Sequence, residues 1–271
     1  MKIKVLWFTN TEANSDEYLN SSLIGTGGWL KSLDKYLQNE VDLNIAFYSS
    51  KKTNNFRYLE SNYYPIYRYN SWLKKTCNKF KHEIIDKQDL EIYLDIINKV
   101  NPDIIHLHGS ENPFGIIANY TEIPIVMLIQ GILTVYLHKY CTGIEKEYLK
   151  INQRFKTVSI NMLFPESFLK KKKFFRKIQI REEKNLKSIK YFIGRTEWDK
   201  RISEILSPNS NYFHNDEILR EGFYLQKWNK KRGEKLILHT TNGNVFYKGF
   251  ETLCLTLNLL NKLGMKTEWR V

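Results

Sequence analysis

The first fifty residues carry a pattern that few architectures accommodate. Ile3–Thr9 is a short apolar run, followed by a polar stretch and then Gly25-Thr26-Gly27-Gly28. Leu30, Leu33 and Leu37 recur at helical spacing, and Val41–Tyr48 is a second apolar run. Strand, glycine loop, helix, strand is a βαβ unit. Its strands run parallel, and a parallel pair needs a covering layer on each face. The alternation continues. Leu90, Leu94, Ile97 and Val100 mark a helix stopped by Pro102; Asp103–His108 is a strand ending at the turn residue Gly109; Ile123–Ile129 is a further buried strand. A charged helical region covers roughly 145–190, Tyr191–Ile193 is a short strand, and a helix runs from Thr196 to Leu206. The pattern predicts an α/β fold with a doubly wound, Rossmann-like parallel sheet.

A second unit of the same kind starts near the end. Lys235–Thr240 predicts a strand, Asn242-Gly243-Asn244 a turn, and Phe250, Leu253, Leu257 and Leu260 one face of a helix. Gly264 is placed as a helix C-cap, and Lys266–Val271 begins another strand. The expected division is residues 1–224 as one Rossmann-like domain, 225–234 as linker, and 235–271 as the first strand-helix-strand of a second, truncated Rossmann-like domain.

Composition narrows the function classes. With 42% hydrophobic and 14% aromatic residues, 271 residues can bury a core, so global disorder is excluded. The three cysteines form no CxxC pair, which fits a reducing compartment. The N-terminal apolar run is too short for a signal peptide, and Ile123–Ile129, interrupted by Pro124, is far short of a membrane span. The expected location is cytoplasmic.

The glycines after the first strand suit an anion, because glycine lets backbone approach a phosphate and a helix start offers unpaired N–H donors. A plain tight turn is the alternative. The dinucleotide fingerprint is incomplete: Leu30 stands where a third glycine belongs, and Tyr48-Ser49-Ser50 where an acid belongs, so NAD is disfavoured. His106 and His108 share one face of their strand. No further ligand cluster lies nearby in sequence, so no metal is expected. His108 ends its strand, and ligands of open α/β sheets bind outside the carboxyl ends of the strands. It is the candidate catalytic residue, with a packed core histidine as the alternative. Gln130 and Arg195 end later strands, face the same crevice and are candidate acceptor contacts; for Arg195 the alternative is a salt bridge to Glu197 or Asp199. Gly109-Ser110-Glu111-Asn112-Pro113 is not a nucleophile elbow, and no zinc-protease or P-loop motif occurs.

The net charge of +13 is concentrated. Phe168–Lys190 contains Lys170, Lys171, Lys172, Lys173, Arg176, Lys177, Arg181, Lys184, Lys187 and Lys190 against Glu182 and Glu183. Lys170–Lys173, Arg176 and Lys177 are candidate membrane-facing residues, because anionic lipid attracts each basic side chain by about 1 kcal/mol. A solvated helix face is the alternative. Nucleic acid is not expected, since no recognition motif accompanies the charge.

Taken together, Gly27-Gly28, Pro102–Gly109, Arg195–Asp199 and Tyr247–Leu253 resemble glycosyltransferase family 4. The resemblance implies the GT-B fold, two Rossmann-like domains facing a cleft, and transfer of a sugar from a nucleotide-sugar with retention and without a metal or cofactor. It implies that Gly27 and Gly28 approach the donor diphosphate, that His108 meets the transferred sugar or its acceptor, and that Lys248 neutralises the leaving diphosphate, with Gly243 and Gly249 on the donor side. A lysine and N–H groups aimed at the leaving diphosphate would lower the barrier. The arginine common before that lysine is replaced here by the stretch Asn242–Val245, and the family's E-x7-E motif would lie beyond Val271.

The expectation is thus a glycosyltransferase acting on a saccharide or lipid-linked acceptor in cell-surface polysaccharide or glycolipid synthesis, peripheral on the inner membrane face, and inactive as a truncated chain. The alternatives are a non-catalytic basic module for nucleic acid or acidic polymer, and an inactive remnant of the enzyme.

Overall fold

The computed structural model describes residues 2–20, 28–67, 87–140, 168–227, 229, 235–240 and 249–270. The chain divides into two compact units: Met1–Leu133 with Lys177–Gln226, and Thr134–Arg176 with Lys227–Val271.

The first unit holds β1 (Lys4–Thr9), α1 (Gly28–Leu37), β2 (Asp42–Ser49), β3 (Phe56–Tyr58), β4 (Ser61–Tyr67), α2 (Lys87–Val100), β5 (Ile104–His108), a 3-10 helix (Pro113–Asn119) and β6 (Ile125–Leu128). Next in the chain are α3 (Leu133–Lys139) and α4 (Phe168–Leu186), then β7 (Tyr191–Gly194), α5 (Glu197–Leu206), β8 (Asn211–His214) and α6 (Glu221–Leu225). The strands form one eight-stranded sheet in the order β3-β4-β2-β1-β5-β6-β7-β8. Every pairing is parallel except β3 with β4. Without the antiparallel edge strand β3, this is the Rossmann order with one strand added beyond β7.

Adjacent residues of β1 show why the sheet is doubly wound. Trp7 and Phe8 point to opposite faces and are 1% and 0% exposed. Trp7 joins Leu30, Leu43, Ile45, Phe47 and Tyr63, with Leu33 and Leu37 of α1 packed against them. Phe8 meets Tyr93 of α2 and Phe114 of the 3-10 helix, with ring centroids 5.6 and 5.2 Å away. Fully burying one such side chain stabilises the fold by about 1.5–3 kcal/mol.

The structure adds elements to those expected. The pair β3–β4 and the strand β8 were not read from the sequence. β4 is Ser-Asn-Tyr-Tyr-Pro-Ile-Tyr, with little aliphatic signal, yet Tyr63 and Ile66 are each 1% exposed. β8 is a half-exposed edge strand with no apolar alternation. The expected helix over 145–190 is described only as α4; residues 141–167 lie outside the described residues.

The second unit contains β9 (Leu236–His239), α7 (Phe250–Lys262) and β10 (Thr267–Arg270). The two strands pair in parallel, and Trp269 Nε1 donates to Thr240 Oγ1 at 2.9 Å. Leu253, Leu257 and Leu260, the expected inner face of α7, are half-buried, while Leu255 and Leu259 are exposed. Gly264 ends the helix at φ 72, the left-handed conformation that glycine adopts without a Cβ clash.

Candidate functional site

In this strand order the direction of winding reverses between β1 and β5. In open α/β sheets ligands bind outside the carboxyl ends of the strands at such a reversal. The loops that follow are tied together. Asn112 Nδ2 donates to Asn10 Oδ1, joining the segments after β5 and β1. Gly109 N donates to Leu128 O at 3.0 Å, and Ile129 N to Ile193 O at 2.8 Å.

His108 ends β5 at this point and is 0% exposed. Its ring lies 4.7 Å from Trp7, 5.4 Å from Trp29 and 4.0 Å from His106, centroid to centroid. Both ring nitrogens are sealed from water and accept or donate no hydrogen bond. Desolvation, reinforced by His106, pushes the pKa of His108 well below 6.5. His106 is pushed down to about 4 by burial; the residue is half-buried and its Nε2 is sealed. Both imidazoles are therefore neutral at neutral pH. A neutral imidazole carries one donor and one acceptor, which suits a hydroxyl contact better than an ion pair.

Gly28 is the first residue of α1, and the Arg220 guanidinium reaches over it. A Cβ on Gly28 would lie 3.0 Å from Arg220 Cδ and 3.3 Å from Cζ. Beside this contact is a cleft of about 660 Å³, whose walls include Asp16, Lys31, Lys35, Tyr36, Arg220 and Tyr224. Lys31 bonds Asp16 at 2.9 Å and Glu17 at 3.2 Å, and the Asp16 bond raises its pKa. Lys35 and Arg220 add positive charge to a cleft that also holds two tyrosine rings. Arg220 and Tyr224 come from the segment after β8, nearly two hundred residues from α1. Spacing could not have joined them to the glycine loop.

Gly109 adopts φ 88, and a Cβ there would stand 2.4 Å from Glu111 Oε2 and 3.6 Å from Gln130 Oε1. Glycine is needed here both for the backbone and for the close approach of the acid. The turn is braced from α4. Ser110 Oγ lies 2.5 Å from Glu182 Oε1 and 3.0 Å from Gly131 O, its one proton shared between the two acceptors; Leu133 N donates to Glu182 Oε1 at 3.2 Å, and Arg181 donates to Glu111 O. Arg181, read from sequence as one of a run of surface cations, is 8% exposed and serves this turn. Burial is the main cause that raises the Glu111 pKa, with Glu182 adding to it. Gln130 and Glu111 thus both approach Gly109, just past the ends of neighbouring strands. In the sequence, Glu111 stood only in a stretch rejected as a nucleophile elbow. Its signal is an acid three residues beyond a strand-ending histidine.

Arg195 follows β7. Its guanidinium bonds Glu217 at 2.9 Å, neither of the acids considered from sequence. Its backbone N–H donates to Asp199 Oδ2 at 2.8 Å, within the capping box that Thr196 and Asp199 build at the start of α5. Gly249 precedes α7 in the second unit, at φ 70. Gly27, Gly243 and Lys248 lie outside the described residues. Lys170–Lys173, Arg176 and Lys177 fall in α4, where Arg176 is exposed, Lys177 is half-buried and the adjacent Phe174 is 60% exposed. Among the described residues, no three His, Cys, Asp or Glu side chains are grouped to hold a metal ion, and no helix is long and apolar enough to cross a membrane.

No protein-family model matches the chain, and no curated protein matches it. Solved structures do. The chain is similar to sucrose-phosphate synthase from Thermosynechococcus elongatus, with a TM-score of 0.50 and 7% identity over 100% of this chain and 71% of that one. It also matches Glycyrrhiza uralensis UGT73P12 complexed with glycyrrhetinic acid 3-O-monoglucuronide. There the identity is 8% and the TM-score 0.38, and the chain spans about half of that protein, 48%, with 78% of itself. The first likeness supports the Rossmann-like fold; the second is too distant to add to it.

Proposed function

We propose that this chain is a glycosyltransferase of family 4 type that moves a sugar from a nucleotide-sugar to a saccharide or lipid-linked acceptor in cell-surface polysaccharide or glycolipid assembly. The observation that carries the reading is His108, a neutral imidazole at the carboxyl end of β5, where the strand order reverses and next to Trp29 of α1. The likeness in fold to a sucrose-phosphate synthase, by its name a maker of a phosphorylated disaccharide, supports it.

In this reading Gly27 and Gly28 approach the donor diphosphate with backbone N–H groups, and Lys248, with Gly243 and Gly249, receives the charge that grows on the leaving nucleoside diphosphate. His108, whose ring nitrogens are sealed among Trp7, Trp29 and His106, is assigned to the transferred sugar or its acceptor on the family resemblance. Gln130 and Arg195 meet the acceptor. The basic face of α4 holds the protein against anionic lipid on the cytoplasmic side. No metal is assigned a part.

The test is release of nucleoside diphosphate from UDP-, GDP- and ADP-sugars by the full-length protein, with binding of each followed by calorimetry. One donor is expected to bind and be consumed, with His108→Gln slowing consumption about a hundredfold, the scale of one lost contact at a reaction centre. A protein that neither binds nor consumes any of these donors overturns the reading, and a His108→Gln rate within twofold of the parent removes His108 from it.

A further inference from the structure

Glu111 is not explained by packing. Its Oε2 has no hydrogen-bond partner and is sealed from water. A carboxylate oxygen left so costs free energy, and folds discard such groups unless something holds them in place. Here much holds it. Gly109, in a conformation few other residues adopt, makes room for the carboxyl; Arg181 grips the Glu111 carbonyl; Ser110 and Glu182 fix the turn between them. The acid is thereby held past the ends of β5 and β6, and a Cβ on Gly109 would lie 2.4 Å from its Oε2 and 3.6 Å from Gln130 Oε1, so the two oxygens stand within about 6 Å of each other.

We propose that Glu111 and Gln130 form a hydroxyl-recognition pair that selects the acceptor by binding neighbouring hydroxyl groups of a saccharide. This rests on the glycosyltransferase reading above. A carboxyl and an amide whose oxygens lie within about 6 Å of each other can each take one of two neighbouring hydroxyls. The amide donates and accepts, and the carboxyl accepts when ionised and donates when protonated. Burial and the nearby Glu182 move the Glu111 carboxyl toward its protonated form, while the N–H groups of Ser110 and Glu111 favour the ionised one. Hydroxyl groups serve either form. An ammonium or guanidinium ligand would serve only the ionised form.

Two measurements on the full chain test the pair, using Glu111→Gln. The first is thermal unfolding at pH 7.5. Replacing a sealed carboxylate by a neutral amide of the same shape is expected to raise Tm by about 2 °C or more. An unchanged or lower Tm makes the carboxylate a structural group and overturns the proposal, whatever the protein's activity. The second is turnover of the donor found above, with methyl α-D-glucopyranoside and methyl α-D-mannopyranoside as acceptor probes and with water alone. Glu111→Gln is expected to lower the ratio of glycoside formed to sugar released to water at least tenfold, through KM for the glycoside. An equal loss of both products overturns hydroxyl recognition. If the parent consumes no donor, the glycosyltransferase reading fails and the hydroxyl assignment that rests on it falls too; a raised Tm would then still mark Glu111 as a group held at a cost to stability.

Discussion

The Tyr63 hydroxyl donates to Asp34 Oδ2 at 2.5 Å, joining a buried ring of β4 to a carboxylate that is itself 0% exposed. Ser61 Oγ donates to Asp34 Oδ1 at 2.7 Å, and the Asn14 N–H to Oδ2 at 3.2 Å. One acid on α1 thus fastens the segment after β1 and the fourth strand. Desolvation still dominates over these three donors and leaves its pKa raised.

Asp34→Ala removes the acceptor and strands Tyr63, Ser61 and the Asn14 N–H in the core. Each buried donor left unpaired costs about 1–3 kcal/mol, so a loss of about 3–5 kcal/mol is expected. Tyr63→Phe removes one donor and should cost about 1–2 kcal/mol. Urea titrations of both variants check the ranking; an Asp34→Ala loss below that of Tyr63→Phe would show that the carboxylate is not the hub.

The histidine pair gives the fold an acid-sensitive limb. His106 and His108 have folded pKa values below the unfolded value of about 6.5. Folding therefore rejects protons that the unfolded chain binds. Their effect is nil above about pH 6.5 and grows as pH falls toward the folded values. For His108 the slope is about 1.4 kcal/mol per pH unit while only the unfolded chain is protonated. Stability measured between pH 7.5 and pH 4.5 should fall along this limb, and His108→Phe, which keeps a ring among Trp7 and Trp29, should flatten it. A parallel fall in the variant would assign the acid sensitivity elsewhere.

Much of this was legible because it depends on local pattern. The 3.6-residue spacing of Leu30, Leu33 and Leu37, and the apolar runs of β1, β2, β5 and β6, fix both period and parallel pairing. The strand ends carrying His108, Gln130 and Arg195 follow from that topology. What sequence could not give are meetings between distant segments: Arg220 over Gly28, Glu217 with Arg195, Arg181 under Glu111. Each joins residues more than twenty positions apart through a polar side chain, and polar side chains carry no periodic signal. The β3–β4 edge was missed for a related reason, since its buried set is Ser61, Tyr63 and Ile66, with one aliphatic among them.

The end of β7 is sterically closed, and this predicts a strong glycine requirement. A Cβ on Gly194 would stand 2.6 Å from Asp199 Cβ and 2.8 Å from Tyr212 Cε2 and Oη. Asp199 cannot retreat without breaking the capping box with Thr196, whose hydroxyl accepts from Asp199 N at 3.1 Å. Gly194→Ala should therefore cost about 1–3 kcal/mol as an overpacked site. Thr196→Ala, which loses only the cap, should cost about 1 kcal/mol. Thermal unfolding of the two variants decides; equal losses would mean that Tyr212 swings aside and only the cap matters.

The last prediction concerns α4. Its first half carries Lys170–Lys173, Arg176 and Lys177, with Phe174 exposed among them. Several adjacent cations near anionic lipid each add about 1 kcal/mol, and the attraction decays within a Debye length of about 8 Å at physiological salt. An exposed aromatic ring beside them can enter the headgroup layer, a contribution salt does not screen. The protein should cosediment with vesicles containing phosphatidylserine more than with pure phosphatidylcholine, and 0.5 M salt should weaken the difference. Lys170–Lys173→Gln should remove most of it, while Phe174→Ala should lower binding in salt more than without it. Equal sedimentation with both vesicle types would make this helix face a solvated surface and nothing more.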